Sequence, residues 1–409
     1  MEGSVDNKFK IRGKNMWYFY APKTVFGEDA LDFLETMEEK RVFIVTDEGI
    51  IKFGMLDILT QKMTPLEMDY NVFSEVKPDP REETILKAAK ECQEYKPDLI
   101  IALGGGSVMD VAKAVWVFYE RPELGIDDLY PFIDLTLGKK AKLVAIPTTS
   151  GTGAETTWAS IITRKTDKGD IKLEQTHKEM IPTVAILDPV FVKSMPPALT
   201  ASTGFDALAH LSESVISVWK NDYSEAMALK AFELVQQYLP IAYKDGSNIE
   251  ARNKMHMAAN MAGLAFGNAQ VHIGHALGHV LGATFHKPHG FTVGVFLPYV
   301  LQYCLIGEEA GETIKILGTF AKRAGVAKWD DADIDAANKY IVEIKRLQKV
   351  VNHPTLSEMI TKDQLDEKID LMAEWCLESP SAAMSPRGAG SQEFKKFYQY
   401  AFDNKDIDF

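Results

Sequence analysis

Cysteine is scarce in this chain of 409 residues, which has only Cys92, Cys304 and Cys376. Their odd number and wide spacing exclude a disulfide framework and a zinc-ribbon pattern. Long apolar runs are also lacking, since none approaches the roughly 18 residues of a membrane span. Residues 1–15 contain no apolar stretch of the kind that directs secretion. We therefore expect a protein of the reducing cytoplasm with no membrane partner.

Basic side chains are fewer than acidic ones. The chain has 45 Lys and Arg against 58 Asp and Glu, which gives a formal net charge of −13. Such a chain repels phosphate backbones and anionic lipid, so nucleic acid is not an expected partner. Its content of 46% hydrophobic and 25% charged residues is typical of folded globular proteins and excludes a disordered chain.

The first half of the chain alternates short apolar runs with helical patterns. Residues 98–103 are apolar at every step from Leu99 to Leu103, and residues 81–95 place Ile85 and Cys92 on one helix face. Continuous apolar runs are typical of strands covered on both sides of a parallel sheet. Similar runs occupy residues 41–46, 142–146 and 183–187. The alternation predicts an N-terminal α/β domain with a parallel sheet, at residues 1–192.

The second half has few strand signals after about residue 190. Asp222 to Glu225 can cap a helix whose apolar residues follow at helical spacing, and Gly325 stands where a helix C-terminus is expected. Prolines cluster at residues 188–197, which suggests a domain boundary. We predict an all-helical C-terminal domain at residues 193–409.

A glycine turn follows the apolar run that ends at Leu103. Gly104, Gly105, Gly106 and Ser107 lead directly into a helical segment. The free backbone N–H groups at a helix start form an anion site, and glycines allow a pyrophosphate to approach closely. A tight turn capped by Ser107 and Asp110 is the structural alternative.

Two further polar positions also follow predicted strands. Residues 147–155, which include Thr148 and Thr149, form a second polar loop after the strand at 142–146. Asp47 ends the strand at 41–46, where an acid can accept both ribose hydroxyls of an adenosine. A surface turn for the loop, and a helix N-cap for Asp47, remain open as alternatives.

Histidine is concentrated in one segment, with five of the nine histidines inside 18 positions, namely His272, His275, His279, His286 and His289. His275 and His279 are four residues apart, as are Asp206 and His210 upstream, so each pair can share a helix face. Imidazole and carboxylate groups suit Fe(II), Zn(II) or similar divalent ions, which bind about three or four protein groups. The pattern predicts a metal site.

Lysine and arginine are missing from the segments that would build this site. Neither occurs in residues 201–219 or 255–286. A substrate phosphate or carboxylate would therefore meet no obvious cationic clamp there. This absence favours a neutral, fairly apolar substrate.

Four motifs together resemble the iron-containing (group III) alcohol dehydrogenase family. They are GGGSVMD at 104–110, PTTSGTGAE at 147–155, MPPALTASTGFDALAH at 195–210 and HALGHVLGATFHKPHG at 275–290. The resemblance runs through nearly the whole chain, in order and spacing as well as composition. It implies a dinucleotide-binding α/β domain followed by a helical metal domain, the dehydroquinate synthase-like arrangement, in a homo-oligomer, by family expectation a dimer.

The resemblance also implies roles for particular residues. The family's metal ligands match Asp206, His210, His275 and His289, with Fe(II) as the expected ion and Zn(II) as a possible one. His279 matches a histidine implicated in proton transfer. The cofactor contacts match Asp47, Asp79, Gly105, Gly106, Ser107, Thr148, Thr149 and Lys172. NAD is the expected cofactor, because members that prefer its phosphorylated form tend to have glycine at the position of Asp47.

The implied activity is metal-dependent hydride transfer between a small primary alcohol or aldehyde and NAD(H). Three alternatives stay open: a glycerol or polyol dehydrogenase of the same fold, a lyase resembling dehydroquinate synthase, and a non-enzymatic NAD-binding or filament-forming protein. The lyase would need basic residues that the site segments lack, and the non-enzymatic protein would have no use for an Asp/His₃ set.

Overall fold

The computed structural model describes residues 10–11, 14–15, 18–129, 133–166 and 169–409. Its N-terminal part contains a six-stranded, entirely parallel sheet with the strand order β3-β10-β7-β6-β4-β5. The sheet strands are β3 (Lys23–Phe26), β4 (Arg41–Val45), β5 (Asp69–Phe73), β6 (Leu99–Gly104), β7 (Lys142–Pro147) and β10 (Val184–Leu187). Two short strands, β1 (Lys10–Ile11) and β2 (Lys14–Asn15), pair with each other ahead of the sheet.

The central strands are buried on both faces, which explains their unbroken apolar runs. In β6, Ile100 and Ala102 belong to one apolar cluster, whereas Leu99, Ile101 and Leu103 belong to another on the opposite face. Helices cover both sides of the sheet: α1 (Glu48–Lys52), α2 (Met55–Met63), α3 (Glu82–Tyr95) and α4 (Gly106–Glu120). The prediction of an α/β domain with a parallel sheet is confirmed.

Three features of this part were not predicted. The edge strands β3 and β5 have mostly exposed or half-buried residues, so they lack the apolar run that marks the central strands. A long antiparallel hairpin, β8 (Ala159–Thr166) with β9 (Gly169–Thr176), stands outside the sheet. Its strands carry many polar residues, and the sequence between them has no turn motif strong enough to predict a hairpin. The hairpin packs against α4 and reaches the C-terminal helices.

After β10 the described chain has helices and 3-10 turns but no further strand, as predicted. The helices are α5 (Pro197–Ile216), α6 (Asp222–Lys244), α7 (Ile249–Gly267), α8 (Ile273–Phe285), α9 (His289–Cys304), α10 (Gly311–Arg323), α11 (Asp333–Val350), α12 (Leu356–Met359), α13 (Lys362–Glu378) and α14 (Ser391–Phe402). One apolar cluster runs through them from Ala201 to Ile407.

Two helix ends illustrate how the local sequence sets these bounds. The cap of α6 is Asn221, one residue before the predicted Asp222, because its side chain accepts from the Ser224 N–H while Ser224 returns a bond to the Asn221 N–H. Gly325, just beyond α10, has φ +73, a left-handed conformation that glycine adopts without a Cβ penalty.

No single helix among the described residues is long and apolar enough to cross a membrane. The segments His289–Cys304 and Glu308–Arg323 satisfy the length and composition criterion only as a pair, and they are bent by 100° relative to each other.

Candidate active site

Three neighbouring strands end at the same edge of the sheet and bring the predicted cofactor contacts together. Asp47 follows β4, the glycine turn follows β6, and Thr148 and Thr149 follow β7. In an open parallel sheet, ligands bind beyond these carboxyl ends. The edge therefore presents the two polar loops and the carboxylate side by side.

The glycine turn leaves the start of α4 open. Its N-cap is Gly105, in extended conformation with no side-chain cap, so the capping alternative through Ser107 and Asp110 is not formed. The turn is also close to the second loop: a Cβ on Gly105 would lie 3.4 Å from Thr149 Cγ2, and one on Gly106 would lie 2.9 Å from Thr152 Cγ2. Free amide groups and a narrow slot are what a pyrophosphate needs.

The second loop joins the sheet to helix α7. Gly153, with φ +57, lies so close to this helix that a Cβ would meet Gly263 Cα at 2.5 Å. Ser150 Oγ lies 3.1 Å from Nδ1 of His256, and Asn260 donates to Glu155 Oε1 at 2.9 Å. Since residues 256, 260 and 263 share one helix face, this face of α7 fixes the loop.

Asp47 is the N-cap of the short helix α1. Its Oδ1 accepts from the Ile50 N–H at 3.1 Å. The capping alternative for Asp47 is therefore present in the structure. The cap uses one carboxylate oxygen, and a ribose hydroxyl can still donate to the other.

Asp79 and Lys172 form an ion pair next to this edge. Lys172 Nζ also donates to Thr163 Oγ1 on the paired strand, at 3.1 Å. Asp79 has φ +57, which places its carboxylate at a turn between β5 and α3. The pair acts electrostatically on His289, so these two predicted cofactor contacts adjoin the histidine cluster.

One oxygen or nitrogen from each of Asp206, His210, His275 and His289 comes within 4.8 Å of the others. Asp206 and His210 lie on α5, His275 lies on α8, and His289 begins α9. Nε2 of His289 is 3.3 Å, and Nε2 of His210 is 3.7 Å, from Oδ1 of Asp206. Within the described part of the chain, no group meets the buried atoms Asp206 Oδ1 and His275 Nε2 with good hydrogen-bond geometry.

Burial and mutual charge set the protonation of this cluster. Burial alone would raise the pKa of the Asp206 carboxyl, but His210 and His289 outweigh it and hold the pKa below its usual range. Burial lowers the pKa of His210 to about 3 and lowers that of His275 well below the ordinary value. At His289, burial would lower the pKa, but Asp206 outweighs it and raises the pKa. Metals bind an ionised carboxylate and neutral imidazoles, so an incoming metal ion would compete with a proton on His289.

Family models match both halves of the chain: the iron-containing alcohol dehydrogenase model at residues 21–189 and the C-terminal model of the same family at residues 200–402. The chain belongs to the iron-containing alcohol dehydrogenase family. It is thus an NAD(P)-dependent oxidoreductase of the alcohol dehydrogenase type.

Individual relatives of the family cover nearly the whole chain. An NADPH-dependent butanol dehydrogenase from Clostridium saccharobutylicum is 34% identical over 96% of this chain and 100% of its own. A 1,3-propanediol oxidoreductase structure superposes with a TM-score of 0.86, at 29% identity over 95% and 100% of the two chains. The structure of a sulfoacetaldehyde reductase from Bifidobacterium kashiwanohense, solved with NAD⁺, superposes with a TM-score of 0.81. Its identity is 26%, over 95% of this chain and 100% of its own.

The residues of this alcohol dehydrogenase fit the iron that its family name implies. One carboxylate oxygen and three imidazole nitrogens are donors that Fe(II) and Zn(II) both accept. The orphaned Asp206 Oδ1 and His275 Nε2 are buried polar atoms, which are costly without a partner. A divalent ion among the four atoms would satisfy both.

Sequence reasoning missed the carboxylate behind the cluster, Glu213. Its buried side chain accepts from Nδ1 of His275 at 3.1 Å and from the backbone N–H of His272. The bond fixes the His275 tautomer, because Nδ1 carries the proton and Nε2 faces the cluster. Glu213 lies seven residues after Asp206, two turns along the same face of α5, and that spacing could have signalled it.

The remaining two histidines of the segment lie outside the cluster of four. His272 is fully buried at the N-cap of α8 beside Glu213, and His286 is exposed at the C-cap of α8 with φ +51. Neither contributes an atom to the group of four.

His279 lies one turn along α8 from His275, and its ring stacks on His289 with a centroid distance of 5.0 Å. Its Nδ1 is 3.6 Å from the carboxylate of Glu174 on β9, a contact that the sequence did not predict. Phe266, on α7, stacks on His210 at 4.0 Å and gives the cluster an apolar wall.

Proposed function

We propose that this enzyme interconverts small, neutral primary alcohols and aldehydes, uses NAD(H) in preference to NADP(H), and needs a divalent metal, Fe(II) or Zn(II). The observation that carries the proposal is the convergence of Asp206, His210, His275 and His289 within 4.8 Å, beside the edge that holds the glycine turn. The reaction needs a Lewis acid and a hydride acceptor side by side.

The four cluster residues are the proposed metal ligands. When bound, the metal supplies Lewis acidity toward the alcohol oxygen and the nicotinamide supplies the hydride acceptor. Helices α5, α8 and α9 hold the ligands in place, and Glu213 keeps Nε2 of His275 unprotonated. Three of the four side chains are buried, which keeps bulk water away from them.

His279 is the proposed proton carrier. Its side chain is 22% exposed, so it connects the buried cluster to solvent. A histidine in such a position can take up the proton that the alcohol releases and pass it to water.

The proposed substrate class rests on the lining of the cluster. Phe266 covers His210, and residues 201–219 and 255–286 carry no lysine or arginine. An apolar wall without a cationic clamp favours a short aliphatic alcohol over a phosphorylated or carboxylated compound. The relative named as a butanol dehydrogenase supports this class, and the one named as a 1,3-propanediol oxidoreductase keeps a polyol as the second candidate.

The proposed cofactor contacts are Asp47, Asp79, Gly105, Gly106, Ser107, Thr148, Thr149 and Lys172. The NAD⁺ complex of one structural relative supports NAD, whereas another relative is named NADPH-dependent. Asp47 supports NAD, because a carboxylate at the end of β4 would repel the 2′-phosphate of NADP. A homodimer in the cytoplasm remains an expectation from the sequence.

The test is oxidation of NADH by butyraldehyde with anaerobically purified protein, before and after chelation and after return of Fe(II) or Zn(II). We expect activity that chelation removes and metal restores, and greater activity with butyraldehyde than with dihydroxyacetone. Activity that persists in metal-free protein would contradict the metal role, and a preference for dihydroxyacetone would favour the polyol alternative. His275→Ala is expected to lose both bound metal and turnover.

A further inference from the structure

The face of β9 that points to the cluster carries two charges of opposite sign. Lys172 and Glu174 are two residues apart, so their side chains leave the strand on the same side. Glu174 Oε1 lies 3.6 Å from Nδ1 of His279, and the two side chains are 19% and 22% exposed. The hairpin therefore places a solvent-accessible carboxylate beside the histidine cluster.

Glu174 flanks the side of the cluster that a substrate can reach. Asp206, His210 and His275 are almost fully buried, whereas 39% of the His289 side chain is exposed. His279 stacks on His289, and Glu174 contacts His279. A substrate that approaches the cluster past His289 must pass this carboxylate.

The positive charges nearby do not cancel that of Glu174. Lys172 is paired with Asp79, so these two groups are neutral together. Among the described residues, Glu174 has no lysine or arginine partner, and the ligand-bearing segments 201–219 and 255–286 contain neither residue. Glu174 is thus the one described carboxylate on this side that no lysine or arginine neutralises, and it would offset the net positive charge that a divalent ion and Asp206 have together.

We propose that Glu174 is a specificity-determining residue, which excludes aldehydes and alcohols that carry a carboxylate or sulfonate close to the reacting carbon. The proposal rests on the function proposed above. Repulsion between like charges in a partly desolvated cleft is much stronger than in water. One relative with this fold is named a sulfoacetaldehyde reductase, so the fold itself does not exclude an anionic substrate. Exclusion of anions therefore depends on local residues, and Glu174 is the carboxylate placed beside the cluster.

The test compares butyraldehyde with succinic semialdehyde, which has the same carbon count and a terminal carboxylate. Wild type, Glu174→Gln and the control Glu308→Gln, at an exposed turn, are assayed with NADH at about pH 8, where an ordinary imidazole is neutral. We expect Glu174→Gln to raise the ratio of kcat/KM for the anionic over the neutral aldehyde about tenfold, which is about 1.4 kcal/mol. Glu308→Gln should leave the ratio unchanged. High salt should reduce the difference between wild type and Glu174→Gln in this ratio of kcat/KM values, because salt screens the repulsion.

A binding measurement separates this inference from the function on which it rests. Propionate and propionamide are titrated into the holoenzyme with NAD, and binding is followed by protein fluorescence. Glu174→Gln should strengthen propionate binding about tenfold relative to propionamide. If butyraldehyde is reduced but neither ratio moves, the role of Glu174 is wrong and the enzyme function stands. If butyraldehyde is inert, the function fails, and the propionate ratio alone decides on Glu174.

Discussion

At the scale of single residues, the candidate site combines proposed ligand atoms that lack partners with neighbours that orient them. Nε2 of His275 is buried and unpaired, whereas its Nδ1 is held by Glu213. A carboxylate behind a histidine fixes the ring and raises its basicity as a ligand. Small changes behind the ligands should therefore affect metal binding as much as activity.

Glu213→Gln should weaken metal binding by about 10–100-fold, the range that such supporting residues contribute. The amide keeps the shape but loses the charge that stabilises the proton on His275 Nδ1. The measurement is the dissociation constant for Zn(II), obtained by competition with a chelator. Glu309→Gln, an exposed acid on a 3-10 turn, is the matched control. Unchanged Zn(II) affinity in Glu213→Gln would show that Glu213 only holds the start of α8, by accepting the backbone N–H of His272.

His279→Ala should keep the metal and lose about 10²–10⁴-fold in kcat, because general acid–base help is of this size. Metal content and kcat are measured on the same preparation. Loss of metal would instead indicate that His279 is a ligand. An unchanged kcat near neutral pH would contradict its role in proton transfer.

Asp47→Gly should shift the cofactor preference toward NADP. Two unit charges about 4 Å apart repel by on the order of 4 kcal/mol at an effective dielectric near 20, and half of that already exceeds one decade in affinity. Asp47 also caps α1, so the variant loses some stability as well. The measurement is kcat/KM for NADH and NADPH in both proteins. Asp47→Asn keeps a capping oxygen but not the charge, so it separates the effect of the charge on cofactor preference from the loss of the α1 cap. A wild type that uses both cofactors equally would leave Asp47 with the capping role alone.

At the scale of elements, the parts that could be predicted are those with a recognisable pattern along the sequence. The strands β4, β6, β7 and β10 follow from unbroken apolar runs. The pairs Asp206/His210 on α5 and His275/His279 on α8 follow from their four-residue spacing. The hairpin β8–β9 has no such signal, since a two-stranded ribbon takes its place from packing on α4 and α8. Glu174 was missed for that reason.

The contact between the second loop and α7 is set by two glycines. Gly153→Ala should destabilise the protein by about 2–4 kcal/mol, from strain at φ +57 plus overpacking against Gly263. It should also weaken NAD binding, because the loop carries Thr148 and Thr149. Gly325→Ala is the control, since φ is +73 there and no atom lies within 4 Å of an added Cβ. Its cost should be about 1 kcal/mol, from strain alone. Urea unfolding gives both values, and equal losses would contradict the close approach.

At the scale of the whole molecule, the two parts meet along α7, and the candidate active site adjoins that junction. His256, Asn260 and Gly263 face the loop of residues 150–155, while the buried guanidinium of Arg252 donates to Met195 O and Thr200 Oγ1. Clustered prolines indicate the boundary in the sequence, but these contacts have no sequence signal because they pair residues about 50 to 110 positions apart. The boundary at residue 192 stays a prediction, which limited proteolysis would check.

Mild acid should loosen this junction through His256. Its Nε2 is buried without a partner in the described structure, and burial lowers its pKa from 6.5 to about 4. Between about pH 6.5 and pH 4 the unfolded chain holds this proton and the folded chain does not, so the free energy of unfolding falls as pH falls, by about 1.4 kcal/mol per pH unit. The loss from this one group approaches about 3 kcal/mol at pH 4 and is absent above pH 7.

His256→Asn keeps a hydrogen-bonding atom near Ser150 Oγ but cannot take up the proton. The free energy of unfolding of this variant should therefore fall less steeply than that of wild type over the same pH interval. Replacement of the exposed His286 by Asn should leave the wild-type slope in place. Urea unfolding of the metal-free proteins at several pH values from 7.5 to 4.5 gives these slopes, and equal slopes for His256→Asn and wild type would show that His256 does not couple this junction to pH.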